Sequence, residues 1–82
     1  MLTDRGFEIQ IASLPEYEKL VAEVYYDGKF FALLSNEGTS EQFVLETPGP
    51  NLKEDQIIRK VDLLGLKLAL DLACKKLKGE AA

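Results

Sequence analysis

Apolar and polar residues alternate strictly in Phe7-Glu8-Ile9-Gln10-Ile11-Ala12. A period of two predicts a strand over 7–12 with Phe7, Ile9 and Ile11 on its buried face. Ser13-Leu14-Pro15-Glu16 interrupts the pattern, because proline removes a ladder donor. Two runs rich in β-branched and aromatic residues follow, 19–26 and 29–35, and only Asp27-Gly28 separates them. That dipeptide predicts a type I′ hairpin turn, whose two central positions both need positive φ. An unbroken register from the turn pairs Tyr25 with Phe30, Val24 with Phe31, Glu23 with Ala32 and Ala22 with Leu33. It places Leu20, Ala22, Val24, Tyr26, Phe31 and Leu33 on a core face. Lys19, Val21, Glu23, Tyr25, Phe30, Ala32 and Leu34 fall on the other, which Glu23 exposes to water.

The polar cluster 36–41 predicts a turn, and 42–47 a fourth strand with Phe43 and Leu45 inward. Thr47-Pro48-Gly49-Pro50 ends it. Residues 52–61 are open to two readings. Asn51 and Glu54 have capping-box spacing, which favours a helical turn from Leu52, while 57–61 suits a short edge strand equally well. The last element is a helix over 63–78, with Asp62 as N-cap, lysines in the last turns and Gly79 at the stop. Leu66, Leu70, Ala73 and Leu77 form its expected core stripe. Leu64, Leu68 and Leu72 form another apolar stripe. It either lies under the 48–58 segment or buries against a second copy of the chain. Gly65 is a poor helix residue, which a close approach by the first turn would explain. The expected fold is α+β, a four-stranded antiparallel meander with a C-terminal helix packed on one face, in two layers and a single domain over 1–82.

Composition narrows the function. The chain has 82 residues, 46% of them apolar, and a net charge of −4. Residues 1–52 hold three basic and nine acidic groups, and 53–82 hold seven and five. The acidic first part disfavours nucleic-acid binding. No apolar run approaches the ~20 residues of a membrane span, and the first residues lack the apolar stretch of a secretory signal. There is no histidine and one cysteine. Ser-His-Asp and Cys-His chemistry are therefore unavailable within the chain, as are zinc sites of Cys and His. No calcium loop or phosphate-cradling glycine motif is present. The expectation is no metal, no cofactor and no catalytic role. Cys74, without a disulfide partner, suits a reducing cytoplasm.

The candidate contact residues follow from the hairpin. Tyr25 and Phe30 form a cross-strand aromatic pair on the second face, beside Glu23 and Leu34, with Glu37, Glu41 and Glu46 expected nearby. Such a pair can simply stabilise the hairpin, and such acids can simply be solvated. On an open face the aromatics would instead anchor a partner, and the acids would steer a basic one. Two rivals stand beside this protein-binding reading. One is a structural homodimer through Leu64, Leu68 and Leu72. The other is a small-molecule binder or enzyme using tyrosine and glutamate in a pocket between helix and sheet.

The run Glu18-Lys19-Leu20-Val21-Ala22-Glu23-Val24-Tyr25-Tyr26-Asp27-Gly28-Lys29-Phe30, followed by Pro48-Gly49-Pro50 and Lys60-Val61-Asp62-Leu63, resembles a group of small bacterial proteins, uncharacterised or of immunity type. The similarity spans about two thirds of the chain. It implies a small acidic cytoplasmic α+β domain that blocks a toxin, and it transfers no binding residue.

Overall fold

The computed structural model describes residues 5–36, 43–49 and 53–79. Four antiparallel strands lie in the order of the chain: β1 Phe7–Ala12, β2 Val21–Tyr26, β3 Lys29–Ser35 and β4 Val44–Glu46. A 3-10 turn at Glu54–Gln56 precedes one helix, α1 Leu63–Leu77, which packs on the sheet. The expected meander and two-layer α+β architecture are therefore present. The second and fourth strands are shorter than the sequence suggests.

The hairpin turn forms as its residues require, with φ of 53° at Asp27 and 81° at Gly28. Tyr26 pairs with Lys29 and Tyr25 with Phe30. Beyond that pair the register shifts by one, so Val24 pairs with Ala32, Glu23 with Leu33 and Ala22 with Leu34. Phe31 is the extra residue of a β-bulge. Without the bulge, the turn register would have placed Leu33 under the helix and Leu34 outside. With it, Leu34 joins the helix-side core at 4% exposure, while Leu33 moves to the outer face opposite Glu23. A one-residue slip exchanges faces for every residue beyond it. Phe31 keeps its inward position against Phe7, with ring centroids 6.3 Å apart.

Phe7 lies at the centre of the core. It touches Tyr26 at 4.5 Å between ring centroids and is fully buried, as are Ala22, Val24, Ala69 and Ala73. Small residues face the sheet from α1: Gly65, Ala69 and Ala73 are its buried positions. Leu66 and Leu77 pack on one flank of that line and Leu72 on the other. The expected leucine stripe is thus rotated toward the small residues, because they let the helix axis come close to the strands. Gly65 marks the closest approach. A Cβ there would stand 2.8 Å from Arg5 Cβ and 2.9 Å from Asp62 Oδ2. Asp62 caps the helix by accepting from Gly65 N–H at 2.7 Å and pairs with Arg5 at 3.2 Å. Asp71 and Lys75 form an i,i+4 pair at 3.2 Å.

Leu20 lies before β2 rather than in it and is 54% exposed, which corrects its expected place on the core face. Of the two readings of 52–61, a helical turn is present at Glu54–Gln56 and no strand forms over 57–61. Gln56 closes that turn, its side-chain oxygen accepting from Lys53 N–H at 3.2 Å. The 48–58 segment leaves Leu64 and Leu68 open, at 50% and 54% exposure, while Leu72 turns partly into the core.

Candidate functional site

The outer face of the sheet, away from α1, divides in two along the strands. At the end where β1 passes into β2, Val21, Leu33 and Ser35 are buried on this face, with Ser35 at 3% exposure. The connection between β1 and β2 reaches across it. Tyr17 in that connection donates its hydroxyl to Glu46 Oε1 at 2.9 Å, and Glu46 belongs to β4 at the far edge. Pro15 helps turn this segment out of the β1 ladder.

Toward the Asp27-Gly28 turn the same face stays half-open. Tyr25 and Phe30 meet edge-on there, with centroids 5.7 Å apart and planes at 73°. Glu8 lies opposite Tyr25 on β1, and Gln10 lies opposite Glu23. The four polar groups form two hydrogen-bonded pairs. Gln10 donates to Glu8 at 3.0 Å, and Tyr25 Oη reaches Glu23 Oε1 at 3.5 Å. Partial burial, the Glu23 carboxylate that also takes the hydroxyl's hydrogen bond, and then Glu8 together raise the Tyr25 phenol above its ordinary value.

Of the seven residues expected at a contact surface, the structure brings Glu23, Tyr25 and Phe30 together. Leu34 is removed by the bulge to the core, and Glu46 is engaged by Tyr17. Glu37 and Glu41 lie outside the described residues. Glu8 and Gln10 belong to the site and were missed. Their signal was already present in the strict alternation of β1, whose outward positions must face the outward positions of an antiparallel β2.

A groove of about 250 Å³ adjoins the site on the other side of Phe30. Phe30, Phe31, Pro48, Ile57 and Ile58 give it an apolar lining, with Thr47 and Gln56 at its polar margin. It lies between the hairpin and the connection into α1, not between helix and sheet, where Phe7, Ile9, Val24, Leu34, Ala69 and Ala73 fill the interface. Among the described residues there is no cluster of three or more His, Cys, Asp or Glu suited to a metal ion. Nor, among them, is any helix long and apolar enough to cross a membrane. Cys74 lies half-buried on α1, and burial raises its thiol above the ordinary value, with Asp71 adding to this and Lys78 opposing it. That thiol is a poor nucleophile near neutral pH.

Comparison with protein-family models, curated proteins and solved structures finds no match for the chain.

Proposed function

We propose that the chain is a small cytoplasmic protein-binding domain of the inhibitor or immunity type, which meets a basic protein partner through the half-open part of its outer face. The observation that carries this reading is the edge-to-face Tyr25–Phe30 pair lying half-exposed beside Glu8 and Glu23. Rigid aromatic rings offer large contact area at small entropic cost. A cation above rings flanked by carboxylates gains from both the ring quadrupole and the charges. The acids also speed encounter with a basic surface, and that effect weakens with salt.

Titration calorimetry against the product of a neighbouring toxin-like reading frame, at low and high salt, tests the proposal. Binding that weakens as salt rises, and that Tyr25→Ala or Glu23→Gln reduces, supports it. No heat of binding, or binding indifferent to salt, counts against it.

A second reading has its own observation. Leu64 and Leu68, one turn apart on α1, stay at least half exposed, with Leu63 exposed beside them at 64%. Burial of this flank against a second copy would give a two-fold dimer. Sedimentation at high micromolar concentration decides it, since a strict monomer removes this reading.

A further inference from the structure

The fourth strand is short, and among the described residues it pairs with only the end of β3. β4 pairs only with Leu33, Leu34 and Ser35. On that side of Lys29–Ala32, among the described residues, no strand follows. The chain leaves β4 after Glu46 and returns alongside at Gln56–Ile58, and the groove is the gap between them.

The ladder fixes which main-chain groups face that gap. Tyr26 and Lys29 close the two-residue hairpin, so the next pair, Tyr25–Phe30, is a non-hydrogen-bonded one. The β1 side agrees. Asp27 N–H donates to Gly6 C=O at 3.0 Å, and alternation from that bond commits the Tyr25 main chain to Glu8. Phe30 therefore directs its N–H and C=O away from β2 and toward the groove.

We propose that an extended segment of a basic protein partner adds to β3 at this gap, pairs with the main chain of Phe30 and seats an apolar side chain in the groove. Period two in an added strand makes its side chains alternate. One set enters the groove against Phe31, Ile57 and Ile58. The other lies on the outer face beside Phe30, where Glu23, two strands away on β2, favours a long lysine or arginine side chain. Lys29, Arg59 and Lys60 outnumber the one acid, Asp27, around a hollow at the turn end, so the segment's basic residue lies at the opposite end, toward Glu23. This rests on the protein-binding reading above and adds the conformation and side-chain pattern of what is bound.

The probe is a blocked peptide of alternating lysine and valine, followed by amide chemical shifts and hydrogen exchange of the whole chain. Shifts at Phe30, Phe31, Ile57 and Ile58, with Phe30 N–H exchange slowed about tenfold or more, are the expected result. N-methylation of alternate peptide amides should weaken binding by about tenfold, the value of one lost main-chain bond. The glutamate–valine peptide should bind more weakly still. Shifts confined to Glu8, Glu23 and Tyr25, with equal binding of the N-methylated peptide, overturn strand addition and leave the protein-binding face standing. Protection of Phe30 that grows with protein concentration alone makes the occupant a second copy and overturns the partner. No shift with the lysine–valine peptide at millimolar concentration overturns both the inference and the basic-partner reading.

Discussion

The two halves of the sheet's outer face share one set of strands and one alternation, yet one half is sealed and the other is not. At the sealed end Val21, Leu33 and Ser35 are buried, and Tyr17 reaches over to Glu46. At the turn end Tyr25 and Phe30 are only partly buried, and carboxylates stand where the other half has aliphatic residues. The difference lies in what each end is given as cover. Eight residues join β1 to β2 at one end, enough to cross the face. Two join β2 to β3 at the other, enough only to reverse the chain. A two-layer domain of this size covers one sheet face with its helix and has little chain left for the second. Where the cover ends, the proposed contact surface begins.

The largest expected effect separates the halves by stability. Leu33→Ala removes a side chain that is 9% exposed in the sealed half and should cost about 2–4 kcal/mol in urea unfolding. Phe30→Ala, a larger truncation in the open half, should cost about 1 kcal/mol, mostly the edge contact with Tyr25. Equal costs would mean that the open half is structural, and the docking surface would lose its basis.

The same two residues show how far the sequence carries. The turn at Asp27-Gly28, the strand order and the helix cap were all legible, because each rests on local chemistry: positive φ, period two, an acid before the first turn. The faces of the hairpin were legible only as far as Phe31. The bulge has no local signature here. It is chosen by tertiary packing, which seats Phe31 against Phe7 and still needs Leu34 beneath α1. Beyond it, Leu33 and Leu34 exchange the roles that unbroken alternation assigns them. Tyr25, Phe30 and Glu23 precede the bulge in register, and so their shared position could be read. Glu46 could not be, because its partner Tyr17 comes from a connection whose path no pattern encodes. The helix was legible in extent but not in rotation. A leucine count favours the widest apolar stripe, while packing favours the line of smallest residues.

The next effect tests the cover itself. Tyr17→Phe keeps the ring and removes the hydroxyl that holds Glu46. The bond is solvent-exposed, so a loss of about 0.5–1 kcal/mol is expected. Faster hydrogen exchange should appear across 13–20 and at Leu33, and leave the turn end unchanged. Unfolding of the whole sheet on this change would show the halves to be a single cooperative unit and erase the contrast.

Smallest in energy, and sharpest in location, is the titration of Tyr25. The folded chain holds the phenolic proton more tightly than an unfolded one, through burial first and then Glu23 and Glu8. The sign follows. This contribution is fully present below the ordinary tyrosine value near 10 and is lost as pH rises through the folded value. Ultraviolet difference titration should show a late-ionising tyrosine that Tyr25→Phe removes. Glu23→Gln should bring it back toward the ordinary value, because it takes away the charge and leaves only a neutral amide oxygen as acceptor. A basic ligand seated on the rings should do the same, by neutralising the field that the carboxylates place there. A peptide that binds yet leaves the late ionisation untouched is bound elsewhere, and the open half is then not where partners meet this chain.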